Sequence, residues 1–136
     1  MPGISAKLPL VRTSRDGFYK LNKTHKAAVA QNLKSLIMTS PGERIMDPEF
    51  GVGIKNYLFE MNTESTYADL AAKIHQQVNK YLPFINIVDI KFSNPNGGDY
   101  ELADINSLGV KMEYVIVPLS VPATLKLTVS KGVIQL

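Results

Sequence analysis

Gly42-Glu-Arg-Ile-Met-Asp-Pro-Glu-Phe-Gly-Val-Gly53 separates two segments with helical periodicity. These residues, called the glycine loop below, combine three glycines, one proline and three carboxylates. Such a mixture of turn formers and charges is typical of a shaped, ordered loop. The loop therefore connects two predicted helices along a defined path. Its carboxylates either take part in catalysis or stabilise the conformation of the loop.

Helices are predicted before and after the glycine loop. The first spans Thr24 to Ser40, with Thr24 as its N-cap, because apolar residues recur there at helical spacing. Ile54 to Glu60 is expected to form a short helix or a turn. The second long helix begins after an N-cap at Asn62 or Thr63, and Pro83 ends it.

The residues after Pro83 change to the period of a β-strand. Apolar and polar residues alternate from Asn86 to Phe92 and again from Val110 to Val117. Between them, Ser93 to Asp99 is rich in turn formers. The chain is therefore expected to reverse there and to form an antiparallel pair, with Glu101 to Ser107 either in the second strand or in a wide loop.

A third strand is predicted after two prolines. Pro118 and Pro122 cannot donate a hydrogen bond to a sheet ladder, so pairing is expected to stop at them. Alternation then covers Thr124, Leu125, Lys126, Leu127, Thr128, Val129 and Ser130. The order of elements predicts an α+β domain with two long helices and a short helix packed on a small antiparallel sheet of about three strands. Its C-terminal edge strand is expected to be exposed, which is a liability unless that edge is a binding site.

Length and composition limit the class of protein. The chain has 136 residues, 45% of them hydrophobic, which suffices for one domain with its own core. We expect an extended N-terminal arm at residues 1–22 and a single domain at residues 23–136. The absence of cysteine excludes disulfides, thiol catalysis and cysteine zinc sites. The start lacks the pattern of a signal peptide, and no stretch approaches the roughly 20 apolar residues of a membrane span.

Charge is distributed unevenly along the chain. The total of +3 is too mild to indicate nucleic-acid binding. Residues 1–44 carry eight Lys or Arg and two acidic residues, a net +6, so the remainder carries −3. This asymmetry fits either a contact with an acidic partner surface or a solvated face.

The carboxylates Glu43, Asp47 and Glu49 are the candidates for catalysis, since a glycosidase needs two carboxyl groups about 5 to 9.5 Å apart. Turn chemistry explains the same residues, and a pairing with Arg44 would lower the carboxyl pKa that a general acid needs raised. A small peptidoglycan hydrolase that uses these carboxylates is the alternative function. We expect no catalytic residue.

Neither a metal site nor a cofactor motif is predicted. His25 and His75 each stand alone on a helix, without a second ligand one turn away. Gly51-Val52-Gly53 lacks the Gly-Lys-Ser/Thr ending and the preceding strand of a phosphate loop. We therefore expect no metal and no cofactor.

The remaining role of the glycine loop is structural. Arg44 would fix the loop to its neighbouring helix if it paired with Glu43 or Glu60. Phe50 is expected to anchor the loop in the core. The structural loop residues are Gly42, Glu43, Arg44, Asp47, Pro48, Glu49, Phe50 and Gly51.

The run Asp47-Pro48-Glu49-Phe50-Gly51, preceded by Gly42-Glu43-Arg44 and followed by Leu58-Phe59-Glu60, resembles the lysozyme-like baseplate wedge proteins of contractile-tailed phages. These are also called sheath initiators and are related to a baseplate component of type VI secretion systems. The resemblance covers about residues 32–92 by motif and extends to Ser130 by strand pattern. Family members usually carry Glu-Pro-Arg where this chain has Leu82-Pro83-Phe84, so this chain keeps the proline and lacks the charged pair.

The resemblance implies a non-enzymatic structural protein of the virion tail, assembled in the host cytoplasm and present in multiple copies in a symmetric baseplate. The implied partners are baseplate wedge proteins, hub or tail-tube proteins, and tail sheath subunits, with no nucleic acid and no membrane. The predicted strand Thr124 to Ser130 would accept arms of sheath subunits by β-augmentation. A generic adaptor of another complex would fit the fold but leave the loop motif unexplained.

Overall fold

The computed structural model describes residues 3–61, 63–93, 107–130 and 133–135. In these ranges the helices are α1 (His25–Met38), a 3-10 helix (Ile54–Phe59) and α2 (Glu64–Tyr81). The strands are β1 (Ser5–Ala6), β2 (Leu21–Asn22), β3 (Ile85–Ser93), β4 (Ser107–Ile116), β5 (Val121–Ser130) and β6 (Val133–Gln135). The predicted α+β class is confirmed.

Both long helices begin at a threonine cap. The Thr24 hydroxyl accepts a hydrogen bond from the backbone N–H of Ala27 at 3.3 Å. The Thr63 hydroxyl accepts one from the N–H of Thr66 at 3.4 Å, which decides between the two N-caps that the sequence allowed for α2. Each cap satisfies a backbone donor that the first helical turn leaves without a partner.

The main sheet is antiparallel, in the order β3-β4-β5-β6. β4 pairs with β5 over ten residues without a register shift, whereas its pairing with β3 shifts between Ile87 and Asp89. Val88 therefore forms a bulge in β3, and its side chain is exposed. The predicted turn at residues 93–99 lies mostly outside the described residues.

The sheet has one strand more than expected. Val133–Gln135 form β6, which among the described residues pairs with Thr128, Val129 and Ser130 at the end of β5. The outer side of β5 from Val121 to Leu127 consequently has no strand partner among the described residues.

Pairing does not stop at Pro122, so that prediction is wrong. Pro118 lies in the turn between β4 and β5, but Pro122 lies inside β5 opposite Val115. Because the β4–β5 register continues through a residue that has no N–H, the proline nitrogen faces away from β4. Backbone direction alternates along a strand, so the N–H groups of Thr124 and Lys126 face the same outer side.

The core lies between the sheet and the helices. The 3-10 helix contacts α1, α2 and β5, and the Tyr67 ring of α2 stacks on Phe92 of β3 with 5.3 Å between ring centroids. Each large aliphatic side chain buried there contributes about 1.5 to 3 kcal/mol. The largest fully buried side chains are Tyr114, Leu33, Leu36, Ile37, Ile54, Leu70, Ile74, Met112, Leu127, Val78 and Val110.

Residues 3–22 form a hairpin. β1 pairs with β2, and an isolated bridge between Arg12 and Tyr19 extends the pairing toward the tip. The sequence left open an arm ordered by a larger partner or a strand lying on its own domain, and these residues lie beside α1. The division into an arm at 1–22 and a domain at 23–136 stays a prediction.

One side chain of α1 holds the hairpin. Gln31 accepts hydrogen bonds from the backbone N–H of Leu8 at 2.9 Å and from the amide of Asn22 at 3.0 Å. Its own amide donates to the carbonyl of Ala6 at 3.0 Å. The hairpin is therefore attached to α1 by three hydrogen bonds to a single residue.

Candidate functional site

The glycine loop closes on itself. The Gly42 N–H donates to the carbonyl of Pro48 at 2.8 Å, so residues 42–48 form a compact turn. Its tip presents Ile45 and Met46, which are 95% and 97% exposed. Two apolar side chains are thus held in solvent by an ordered backbone.

The second half of the loop caps the C-terminal end of α1. The N–H groups of Val52 and Gly53 donate to the carbonyls of Leu36 and Thr39 at 3.1 and 2.9 Å, which satisfies acceptors that a helix end leaves free. Gly51 has a φ of +113°, and a Cβ atom there would collide with the carbonyl oxygen of Thr39. Glycine is required at this position for both reasons.

Gln77 of α2 ties the loop to the helix. Its side-chain oxygen accepts from the N–H of Gly51, and its amide donates to the carbonyl of Glu49, both at 3.1 Å. The sequence analysis did not select this residue. Its position in the sequence could have identified it. Gln77 is a polar residue three positions after Ile74 and next to Val78, so it lies on the apolar face of α2, where a buried polar side chain needs a hydrogen-bond partner.

Cationic and aromatic side chains stack beside this attachment. The Arg44 guanidinium lies 3.8 Å from the centroid of the Phe50 ring, which meets Tyr81 edge-on at 4.8 Å. Lys80 lies 5.1 Å from the Tyr81 centroid and forms a 2.6 Å salt bridge with Glu49. These contacts join the loop to the C-terminal end of α2.

The expected ion pair of Arg44 does not form. Among the salt bridges of the described ranges, none includes Arg44, Glu43 or Glu60. Arg44 instead lies over Phe50, which is partly buried and packs against the core. An exposed guanidinium is favoured over an aromatic face because that face carries negative electrostatic potential.

Two pKa values at the loop are displaced. The pKa of Tyr81 is raised, chiefly because burial disfavours the charged form and also because the hydroxyl interacts with the Asp47 carboxylate. Asp47 and Lys80 are thus charged neighbours of this buried hydroxyl, but neither is in good hydrogen-bonding geometry with it. The pKa of Lys80 is raised chiefly by its hydrogen bond to Glu49.

Two of the three loop carboxylates face solvent. Glu43 and Glu49 are exposed, and Glu49 is engaged by Lys80. Both therefore lack the apolar surroundings on which a general acid depends. In the part of the chain that the structure describes, no group of three His, Asp or Glu residues is placed to hold a metal ion. No helix in that part is both long and apolar enough to span a membrane.

The strand predicted to contact sheath subunits, Thr124 to Ser130, lies within β5, and pairing with β6 divides it into two parts. Thr124 and Lys126 are exposed, Leu125 is half-buried and Leu127 is buried, and their outer side has no strand partner among the described residues. The remaining predicted residues, Thr128 to Ser130, are paired with β6. The 3-10 helix after the glycine loop contacts β5, so the loop and this strand belong to one packed unit.

The segment Leu82-Pro83-Phe84 is apolar in its packing as well as in its sequence. Leu82 and Phe84 are partly buried against the core. The carbonyl of Phe84 accepts from the N–H of Val117 at 3.0 Å, which ties the end of α2 to the β4–β5 turn. Apolar packing therefore occupies the place where the resemblance implied a charged pair.

Known proteins resemble the chain over most of its length. The family described as baseplate wedge protein gp25 matches residues 23–117. A crystal structure from Geobacter sulfurreducens, provisionally named a tail lysozyme, is 19% identical with a TM-score of 0.67, over 84% of this chain and 99% of its own. A chain of the six-fold symmetrised baseplate of the anti-feeding prophage is 25% identical with a TM-score of 0.64, over 84% of both chains. No curated protein sequence matches significantly.

Proposed function

Because the chain belongs to the gp25 family of baseplate wedge proteins and is therefore a structural component of a contractile-tail baseplate, we propose that it initiates the tail sheath. In this role it joins wedge proteins to the hub or tail tube and templates the first sheath ring. It is present in multiple copies in the virion tail, assembles in the host cytoplasm and catalyses no reaction.

The open side of β5 supports the proposal. Among the described residues, the strand from Val121 to Leu127 is paired only with β4, so its outer N–H and C=O groups are available there. An arriving strand gains affinity from these main-chain groups and register from the alternating side chains. Thr124 and Lys126 supply the outward donors, since their N–H groups face the same side as the Pro122 nitrogen.

The other edge of the sheet is less suited to strand addition. β3 is interrupted by the bulge at Val88, and its exposed Asp89 and Lys91 lie 3.9 Å apart as a charged pair. Bulges and charges on an edge strand hinder further pairing. A sheath arm is therefore expected on β5 and not on β3.

The extent of β6 limits the site. Thr128 to Ser130 are already paired, so an arm reaches them only if β6 leaves. We place the first contacts on Val121 to Leu127, with the ten paired residues of β4 behind them. Tension on the arm is then shared by many ladder hydrogen bonds at once.

A proline at Lys126 tests the site. Lys126→Pro removes an outward N–H without touching the bonds to β4, and Lys126→Ala is the matched control that keeps this donor. Each variant replaces the native protein in cells that produce the particle, and tails are examined by electron microscopy. We expect Lys126→Pro baseplates to carry naked tubes and Lys126→Ala baseplates to carry sheath. Normal sheath on folded Lys126→Pro particles would falsify the proposal.

The absence of enzymatic activity has its own test. Purified protein is incubated with peptidoglycan beside the double variant Glu43→Gln, Glu49→Gln. We expect both to release the same background of soluble fragments. Turnover that the double variant loses would favour the hydrolase alternative.

A further inference from the structure

The hairpin of residues 3–22, called the basic hairpin below, exposes cations and apolar side chains together. It contains four Lys or Arg and one acidic residue, Asp16, which forms a 2.9 Å salt bridge with Lys23. Within the described ranges none of the four cations forms a salt bridge. Six large apolar side chains are 47–75% exposed, namely Ile4, Leu8, Leu10, Val11, Phe18 and Tyr19.

A second surface has the same apolar character and the opposite charge. Residues 43–64, called the acidic segment below, contain five Asp or Glu and two Lys or Arg, a formal net charge of −3 against +3 for the basic hairpin. Ile45, Met46, Phe59 and Met61 are 81–97% exposed, and they are the four most exposed large apolar side chains of the described residues. Such exposure on an ordered backbone marks an interaction surface.

The two surfaces are attached to different helices. The basic hairpin precedes α1 and is attached to Gln31 in the middle of that helix. The acidic segment follows α1 and is attached to Gln77 of α2. No salt bridge of the described residues joins the two surfaces. Each surface is therefore attached to a helix and, among the described residues, has no ion pair with the other.

We propose that the basic hairpin of one copy docks on the acidic segment of a second copy. The opposite net charges steer the encounter, and the apolar side chains on both surfaces become buried on contact. Since a two-stranded hairpin is only marginally stable alone, this contact also stabilises it. The contact joins two different surfaces of the chain, so copies associate either reciprocally as a two-fold dimer or head to tail as a closed ring or an open chain.

A second copy explains more of the surface than other partners do. A basic, apolar hairpin also suits an anionic lipid surface or nucleic acid, but neither accounts for the acidic segment. The hairpin lies outside residues 23–117, where the family matches, whereas the acidic segment lies within them. The contact does not rest on sheath initiation, because it is tested on the purified chain alone.

The test is a charge exchange followed by sedimentation velocity at low ionic strength. One variant carries Arg12→Glu and Lys20→Glu, and the other carries Glu60→Lys and Glu64→Lys. In a concentration series that reaches about 1 mM, the wild-type protein is expected to associate. It is expected to dissociate when added salt screens the charges. Each variant alone has two like-charged surfaces and stays monomeric. A 1:1 mixture associates again, because each hairpin then meets an oppositely charged segment.

Controls separate this contact from a general effect of charge. Lys91→Glu with Lys111→Glu makes the same change in net charge as the hairpin variant but on the sheet, and it is expected to leave association unchanged. Wild type that stays monomeric throughout, or a mixture that does not associate, overturns the inference. So does monomeric wild type that binds phosphatidylserine vesicles or single-stranded DNA and loses this binding in the hairpin variant.

Discussion

The backbone N–H of Gly51 donates to the side-chain oxygen of Gln77 at 3.1 Å, across the junction of the glycine loop and α2. The amide nitrogen of the same side chain donates to the carbonyl of Glu49 at 3.1 Å. One buried glutamine thus satisfies a donor and an acceptor of the loop. The path of the loop depends on a residue that follows it by more than twenty positions.

Truncating this glutamine is expected to destabilise the protein. Gln77→Ala leaves two backbone groups of the loop unpaired, and a buried unsatisfied group costs about 1 to 3 kcal/mol. Gln76→Ala, an exposed neighbour on the same helix, is expected to change the free energy of unfolding by less than about 0.5 kcal/mol. Urea titration measures both. Equal midpoints for the two variants would contradict the role of Gln77.

Substituting Gly51 and Gly42 by alanine separates the effect of a steric collision from that of backbone strain. Both have positive φ, +113° and +92°, but only at Gly51 does an added Cβ meet the Thr39 carbonyl, while at Gly42 nothing lies within 4 Å. Gly42→Ala is expected to cost about 1 to 3 kcal/mol through backbone strain alone. Gly51→Ala is expected to cost more, because the end of α1 must also move. Thermal unfolding compares them, and a larger loss at Gly42 would be the contrary result.

Tyr81→Phe is expected to raise the urea midpoint. The ring keeps its edge-on contact with Phe50, whereas the buried hydroxyl, which has no hydrogen-bond partner, is removed. Burying an unpaired hydroxyl is unfavourable, so its loss favours the folded state. Tyr57→Phe, a partly buried tyrosine of the 3-10 helix, is the comparison. A lower midpoint for Tyr81→Phe would reveal a partner for the hydroxyl.

The basic hairpin is expected to lose stability in acid. The pKa of Asp16 lies below its ordinary value of 3.8, chiefly because its carboxylate accepts a hydrogen bond from Lys23. A lowered pKa in the folded state gives a contribution that is present above pH 3.8 and is lost as the pH falls through the folded-state value.

Amide hydrogen exchange in the hairpin follows this loss. The protection of the backbone amides of residues 3–22 against hydrogen exchange is expected to fall as Asp16 becomes protonated. The carboxyl chemical shift of Asp16 records that protonation. Asp16→Asn removes this dependence on pH. Protection that stays constant through the titration would show that the Asp16 pair does not hold the hairpin.

Local rules predicted the helix boundaries because their physical causes are local. Thr24 and Thr63 cap helices through a hydrogen bond to a residue three positions on, and Pro83 prevents α2 from continuing. Pro122 was judged by the same kind of rule and gave a wrong boundary. A proline breaks a ladder only when its nitrogen faces the paired neighbour, and which side it faces depends on the register with β4.

The site was less predictable because its contacts are distant in sequence. Arg44 had carboxylates within reach along the chain, but folding placed the ring of Phe50 beneath it. Gln77 stood on an apolar helix face with nothing nearby to show which backbone groups it would meet. The sequence pattern identified the residues that shape the loop. The side chains and backbone groups that they contact are determined by tertiary packing, which the pattern does not contain.

The bulge at Val88 gives the sheet two unequal sides. A molecule in the middle of a continuous β-ribbon needs a regular edge on both sides, and among the described residues the edge of β3 is interrupted by this bulge. Under the proposed strand addition on β5, the chain would therefore stand at the beginning of such a ribbon and not within it. It would start the ribbon without being one of its repeating units, so growth would have one direction from the first subunit onward.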